Sequence, residues 1–524
     1  MTTCPNSADT ISVILNDTII VILNDTIIVI LNEVKNLYID TIVAPATIPG
    51  TGAISIVRIS GPDSFRIVDE VVQLKHGTVS GAETYTIHFG EVYERASLGP
   101  NDKDVRSSEA EKALLDEVLV SVFRAPHSYT GEDAVEISCH ASSYIVSELI
   151  RLLLAAGCRM AEPGEFTKRA FLNGKMDLAQ AEAVADVISS NTSASHRVAM
   201  KQMKGGYSVE LASLRSELLE MASLLELELD FSEEEVEFAD RSRLVGLVEE
   251  TAAHVSRLAD SFQAGNMIKN GIPVAIVGAA NAGKSTLLNA LVGEERAIVS
   301  DVAGTTRDTI EERVNIDGVL FRFIDTAGIR ETSEIVEKMG IDRTFQKISE
   351  ASIVLEVLDG SEEESVLLNN LETLLPHIDF SVQSLILLVN KIDSVSQNDI
   401  NKIVNNINEF VSRIDNKCIV IKTSAKHKIG LEALKQAMTS RLKDLVNDED
   451  STFVTNLRHY EALKNAASAL ADVHTSLLSP IPSDLVAEDL RRAIASINLI
   501  LGADLGLSPE TLLHSIFQKH CIGK

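Results

Sequence analysis

The 524-residue sequence predicts a multidomain α/β plus α protein: an N-terminal α+β domain, then a helical domain interrupted by an inserted α/β domain. Three patterns predict it. From Asp40 to about Gly174, short β-prone runs alternate with Gly and Pro punctuation. From Leu178 to about Gly265, apolar residues recur three and four apart, as at Leu211, Leu214, Leu218, Met221 and Leu225. From Pro273 to about Lys443, strand, loop and helix signals alternate, after which helical periodicity returns.

Taken in order, the strands of the first domain are expected at Ile54–Ile59, Thr84–Phe89, Glu117–Phe123 and Ala134–Ser138, with one helix at Ser142–Ala156. The helices that return are expected at Leu457–Leu477 and Asp484–Leu501. Boundaries follow: residues 1–39 as an atypical extension, 40–174 as the first domain, 175–272 with 444–524 as a discontinuous helical domain, and 273–443 as the insert. In the extension, VILNDTII occurs at 13–20 and again at 21–28, and VILN starts a third time at 29. An eight-residue duplication is too short for a solenoid repeat, so a duplicated or misassigned, dispensable N-terminus is expected, with an extra β-rich arm as the alternative.

Composition narrows the function. Lys plus Arg is 47 against 76 Asp plus Glu, a net charge of −29, which argues against broad neutralisation of a phosphate backbone by this chain. Between Arg215 and Arg241 no basic residue occurs, the signature of a solvated acidic face. Ile11–Leu31 has the length of a membrane span, but Asn16, Asp17, Asn24 and Asp25 interrupt it and no basic n-region precedes it, so neither a span nor a secretory signal is expected. Cys4, Cys139, Cys158, Cys418 and Cys521 are scattered without a C-x-x-C pair, as expected of reduced thiols in the cytoplasm.

The chemistry concentrates in the insert. Gly278-Ala-Ala-Asn281-Ala282-Gly283-Lys284-Ser285 fits G-x-x-x-x-G-K-[ST], after the strand Val274–Val277 and before a helix at Thr286–Leu291. Glycines there let backbone N–H groups surround a β-phosphate, Lys284 reaches the β- and γ-phosphates, and Ser285 is suited to Mg²⁺. Asp325-Thr326-Ala327-Gly328 follows the strand Phe321–Ile324, where a carboxylate can hold the Mg²⁺ shell and the Gly328 N–H can meet a γ-phosphate. Asn390-Lys391-Ile392-Asp393 follows Leu385–Val389, and the Asp393 carboxylate can accept both N1–H and N2–H of guanine, donors that adenine lacks. Ser424-Ala425-Lys426 follows Cys418–Ile421 and completes a base pocket. The ordered set predicts a Ras-like P-loop GTPase domain that binds and hydrolyses GTP.

Between the phosphate loop and Asp325 lies Gly304-Thr305-Thr306-Arg307-Asp308, a switch position where a Thr hydroxyl, that of Thr306, would complete a Mg²⁺ shell only with γ-phosphate present. Arg307 is read as a structural residue of that loop. After Gly328 comes Ile329, where Ras-like enzymes carry the water-orienting Gln, so another group must orient water. Glu337 lies close by and is the candidate.

Together these residues resemble one family, the MnmE (TrmE) GTPases of tRNA wobble-uridine modification, over Asp40 to Lys524. The resemblance rests on DTIVAPATIPGTGAISIVRISGP at 40–62, SYTGEDAVEISCH at 128–140, PGEFTKRAFLNGKMDLAQAEAVADVI at 163–188, EDLRRA at 488–493, the GTPase set and the terminal Cys521-Ile-Gly-Lys524. It implies a folate-binding-like first domain that dimerises and takes a tetrahydrofolate derivative, 5-formyl or 5,10-methylene, at Arg58, Glu136, Lys175 and Lys524. It implies K⁺-dependent pairing of G domains, with K⁺ at Asn281, Ser300, Val302 and Thr305, and Glu337 as the catalytic residue. It implies a necessary thiol at Cys521, with nucleophilic, acid–base and structural roles all open. GTP-binding positions carried over are Asn281–Thr286, Ser300, Asp301, Val302, Ala303, Gly304, Thr305, Thr306, Asp325–Gly328, Asn390, Lys391, Asp393 and Ser424–Lys426. Implied partners are a second copy, tRNA and the flavin- and NADH-using protein MnmG (GidA), with no membrane. A ribosome-assembly or signalling GTPase, and a folate-dependent aminomethyltransferase under GTPase control, are the rival functions.

Overall fold

The computed structural model describes residues 40–94, 113–230, 241–294, 312–324, 345, 347–413, 418–446, 452–479, 483–503, 517 and 523. The chain divides into two compact units, one running up to Ala185 and including Asn498–Lys524, the other Asp186–Ile497.

The first unit is built on β1 (Ile42–Pro45), β2 (Ile54–Ser60), α1 (Ser64–Val71), β3 (Val72–Leu74), β4 (Thr86–Tyr93), β5 (Leu114–Phe123), β6 (Ala134–His140), α2 (Ser143–Ala155), β7 (Arg159–Met160) and α3 (Glu165–Leu172). Its seven strands form one sheet in the order β3-β4-β5-β6-β2-β1-β7, antiparallel except for the β1–β7 pair. Alternation sends Val57, Ile59, Val135 and Ile137 to one face, where they pack with Phe65, Ile67 and Val68 of α1 and Leu149, Leu152 and Leu153 of α2. The same alternation turns Arg58 and Glu136 to the opposite face. Both faces of β1 are covered, because Ile42 and Ala44 pack with Phe166 of α3 while Val43 joins the main core.

One expectation needs correction here. The sequence predicts a single helix in this domain, and three lie among its described residues. α1 and α3 span only eight residues each, too short for periodicity to separate them from loops. The Thr84–Phe89 strand runs instead from Thr86 to Tyr93, through a glycine at position 90 that lies against Val72 and Leu74 of β3.

A buried ion network ties α3 to the start of the sheet. Arg169 is 1% exposed and donates to the Asp40 carboxylate at 2.8 Å, to the Asp40 carbonyl at 2.9 Å and to Glu165 at 3.0 Å. Arg159 pairs with Glu165 at 2.6 Å and with Asp40 at 2.5 Å. Burial pushes both carboxyls up, but the arginine hydrogen bonds outweigh it and hold them below the usual carboxylate range.

α4 (Leu178–Ser189) leads into the second unit. Its helices before the insert are α5 (Ser193–Met203), α6 (Gly206–Asp230), α7 (Arg241–Asp260) and α8 (Phe262–Asn270). Thr192 and Ser195 form a reciprocal capping box at the start of α5. The expected stripe on α6 is buried throughout, Leu211, Leu214 and Leu218 completely. Then come β8 (Ile272–Val277), α9 (Lys284–Glu294), β9 (Glu312–Ile316), β10 (Val319–Phe323), β11 (Ile353–Asp359), α10 (Glu364–Leu374), β12 (Ser384–Asn390), α11 (Gln397–Ser412), β13 (Ile419–Lys422) and α12 (Leu431–Val446). The sheet order is β13-β12-β11-β8-β10-β9, parallel but for the β9–β10 hairpin, with buried apolar clusters on both faces.

The chain returns through residues 452–456 to α13 (Leu457–Leu478) and α14 (Ser483–Leu501), and α13 packs against α7. The return is clamped to the helices that precede the insert. Gln202 Nε2 donates to the Phe453 carbonyl at 2.8 Å, and the Val454 N–H donates to Ser261 Oγ at 3.0 Å. Gly265 leaves room for that segment, since a Cβ there would lie 2.1 Å from the Val454 carbonyl. Among the described residues, no helix is long and apolar enough to cross a membrane; Ile11–Leu31 lies outside them.

Substituting Arg169 by Met should destabilise the chain by about 3–5 kcal/mol, because Glu165 stays buried and loses a cation. Denaturant unfolding would read this, and a loss below about 1 kcal/mol would show the network to be peripheral.

Candidate functional site

In the second unit, β8 runs into a loop that turns straight into α9. Gly278 has φ +139°, and a Cβ there would lie 2.3 Å from the Val357 carbonyl of β11. Asn281 holds a left-handed φ of +63° with an exposed side chain. The first turn of α9 carries no acidic residue, so its free N–H groups and dipole favour an anion. Lys284 Nζ donates to the carbonyls of Gly278 and Ala279, both at 2.7 Å, which aims its charge across the mouth of the loop. Ser285 and Thr286 follow on that first turn, with Thr286 exposed.

The base pocket is tied to this loop by one side chain. Asn390, at the end of β12, is 3% exposed. Its Nδ2 donates to the Ala282 carbonyl at 2.8 Å, and its Oδ1 accepts the Ala425 N–H at 3.0 Å. Gly283, with φ +104°, makes this possible: a Cβ there would come within 2.3 Å of Asn390 Nδ2. Lys391, also left-handed at φ +61°, pairs with Asp359 at 2.6 Å. Asp393 accepts Ser424 Oγ–H at 2.5 Å, and that bond holds its carboxyl below the ordinary value. It is therefore ionised at neutral pH, the state in which it can accept two donors from a base edge. Lys426, two residues beyond Ser424, is exposed.

One residue of this region escaped the sequence reading. Glu356 sits in β11, opposite Val277 on one side and Leu387 on the other, at 4% exposure. Burial pushes its carboxyl from 4.5 up to about 8 against the pull of Lys284, while burial pushes Lys284 down. The visible signal was a lone Glu in the otherwise apolar run Ile353–Leu358.

The first unit holds the other predicted group. β2 and β6 pair Arg58 directly with Glu136. Arg58 Nε donates to Glu136 Oε1 at 2.9 Å and Nη2 approaches the same oxygen at 2.7 Å. The guanidinium also lies 5.4 Å from the Tyr129 ring centre and 5.7 Å from that of Phe166. Its Nη1 donates to the Gly523 carbonyl at 3.1 Å, a contact that no local pattern announces. Lys175 donates instead to the Pro126 carbonyl at 2.9 Å and packs beside Gly131. Ser300–Thr306, Asp325–Gly328, Glu337, Cys521 and Lys524 lie outside the described residues.

Two outcomes follow from the second unit. Replacing Asn390 with Ala strands a buried carbonyl and a buried N–H, so the dissociation constant for GTP should rise about tenfold or more in titration; unchanged affinity would contradict the bridge. For Glu356, the folded state keeps a proton that the unfolded chain releases, so this group erodes stability as pH climbs from 4.5 to about 8. Glu356→Met should raise the melting temperature more at pH 8 than at pH 5, and an equal rise at both would contradict the protonated burial.

Comparison with known proteins agrees with this geometry. The family model for the MnmE helical domain matches residues 178–521, and the model for the GTP-binding protein TrmE N-terminus matches 41–175. A tRNA modification GTPase MnmE from Flavobacterium johnsoniae is 48% identical over 489 residues, covering 93% of this chain and 99% of that protein. Relatives of the same name from Bacteroides fragilis and Cytophaga hutchinsonii are 47% and 46% identical, again over 93% of this chain and over 99% and 98% of their own length. A P-loop tied to a guanine-type pocket, on a chain that such relatives match over 93% of its length, leaves one assignment: the chain belongs to the MnmE family of tRNA modification GTPases.

Proposed function

We propose that this protein hydrolyses GTP to drive modification of tRNA, adding an aminomethyl or carboxymethylaminomethyl group at C5 of the wobble uridine. In this reading residues 40–174 form a folate-binding and dimerisation domain, 273–443 the G domain, and 175–272 with 444–524 a discontinuous helical domain. The observation that carries it is the match along nearly the whole length of relatives named for tRNA modification.

Each added group has a chemical rationale in the chain's own residues. Mg²⁺ would be held by Ser285 and Thr306 and would draw charge from the leaving phosphate oxygens. K⁺ would be held by Asn281 and by carbonyls of Ser300, Val302 and Thr305; the exposed Asn281 side chain on a left-handed backbone suits that donor role. A fixed cation there can stand in for an arginine finger, which is worth about 10³–10⁵ in rate elsewhere. Glu337 orients the attacking water, directly or through a second water. Arg58, Glu136, Lys175 and Lys524 bind the tetrahydrofolate derivative, with the carboxylate suited to pterin donors and the basic groups to the folate's carboxylates. Cys521 acts beside that ligand. When bound, that derivative would supply the one-carbon unit.

The protein works as a homodimer in the cytoplasm with MnmG. The acidic balance supports shared tRNA binding, because this chain at −29 would repel a phosphate backbone that a basic partner can neutralise. Buried Cys139 and Cys158, with thiols pushed up by burial to about 11 and about 12, are inert in a reducing compartment.

GTP turnover measured in KCl and NaCl at equal ionic strength, for wild type and Glu337→Ala, tests the hydrolytic half. Turnover should need K⁺, and the variant should bind GTP yet hydrolyse it at least about tenfold more slowly. Equal rates in both salts would remove the potassium step and favour a ribosome-associated GTPase.

A further inference from the structure

Asp359 closes β11 directly opposite Asn390, the last residue of β12. It is 8% exposed, and both of its carboxylate oxygens are engaged. One accepts the Ser361 N–H at 3.0 Å and the Ser361 hydroxyl at 2.6 Å, a local turn that fixes the plane of the carboxylate. The other accepts Lys391 Nζ at 2.6 Å. The two strand ends are clamped beside this pair. The Gly360 N–H donates to the Asn390 carbonyl at 2.9 Å, and a Cβ on Gly360 would lie 2.8 Å from that same oxygen. Lys391 follows Asn390 on a left-handed backbone, and its side chain returns to the neighbouring strand end at Asp359. Burial pushes the Asp359 carboxyl up, but the hydrogen bonds from Lys391 and Ser361 outweigh it and hold it below the ordinary value.

The nucleotide site thus has two lysines in opposite situations. Lys284 is held by two carbonyls, which orient its charge without cancelling it. Lys391 has its charge met by a carboxylate, which leaves its four-carbon stem, 35% exposed, as the part that can meet a ligand. In sequence it stands between Asn390, which joins the phosphate and base loops, and Asp393, the acceptor of the base pocket. We propose that Asp359 is a positioning residue for the nucleoside half of GTP: by holding Lys391 Nζ it fixes the lysine stem as a wall of the base pocket and keeps that charge away from the phosphates. This deepens the guanine reading of the pocket and rests on it, adding a residue that acts only through Lys391. The bond that breaks in hydrolysis lies at the γ-phosphate, on the Lys284 side. Loss of Asp359 therefore weakens the ground state and the transition state alike, which raises KM and leaves kcat in place.

Steady-state GTP hydrolysis by the full-length protein tests this. Asp359→Ala should raise KM for GTP about tenfold with kcat within about twofold of wild type, as expected for a lost charge-assisted hydrogen bond that acts on binding alone. Asp359→Asn keeps a neutral acceptor for Lys391 and should raise KM less, by about threefold. Lys391→Met approaches the pair from its more exposed side, and adding Asp359→Ala to it should change KM by less than about twofold, because Asp359 acts through Lys391. A wild-type KM in Asp359→Ala would overturn the proposal. So would a further loss of about tenfold on the Lys391→Met background, or a fall in kcat larger than the rise in KM. Hydrolysis of ATP by the wild-type protein with the KM of GTP would instead remove the guanine reading, a failure distinct from that of the ion pair, which the double-variant comparison reports by itself.

Discussion

The amide of Asn390 is the contact on which the nucleotide site depends. With one end on the phosphate loop at Ala282 and the other on the base loop at Ala425, it fixes the distance between two segments more than a hundred residues apart in sequence. A nucleotide has a limited span from base to phosphates, and a pocket that reads the one while cradling the other gains by holding that spacing before binding. The bridge also explains Gly283. The glycine is required there because the amide lies where a Cβ would be. Around the bridge the remaining side chains are oriented in turn: Asp359 holds Lys391, and Ser424 holds Asp393.

The first unit solves a related problem with a sheet. Register and alternation put Arg58 and Glu136 side by side, away from the apolar face that α1 and α2 cover. Tyr129 and Phe166 then flank the guanidinium, and burial raises the Tyr129 hydroxyl above its ordinary value even though the Thr167 hydrogen bond and Arg58 pull it down. The half-buried ion pair and the aromatic rings beside it thus share one face of the sheet. The acidic surplus of the whole chain does not disturb it, because the local pair is fixed by strand pairing rather than by net charge.

Local patterns were readable wherever one element makes its own signal. The phosphate loop, the apolar stripe on α6 and the buried strands of the second sheet all followed from spacing, and the stripe proved buried at every position. What escaped depended on residues far apart. α1 and α3 are single short amphipathic segments without a full repeat, so they passed for loops. Asn390 was legible as part of a guanine motif, but not as a strut, because its partner at Ala282 has no sequence relation to it. The Arg58–Gly523 contact spans 465 residues, and a terminal glycine reads as a flexible end until β1 is seen beside it. Glu356 could have been found, since a charged residue in the middle of a buried strand always needs an explanation.

The central claim is that nucleotide turnover in the pocket organised by Asn390 and Asp393 drives tRNA modification. Its most direct test exchanges the nucleotide. An amide at position 393 would accept N1–H and donate to a C2 oxygen, matching xanthine in place of guanine. In a reconstituted reaction with tRNA, MnmG and the folate donor, Asp393→Asn should yield modified wobble uridine with XTP and little with GTP, the reverse of wild type. Modification by the variant that proceeds equally with GTP, XTP or no nucleotide would contradict the account.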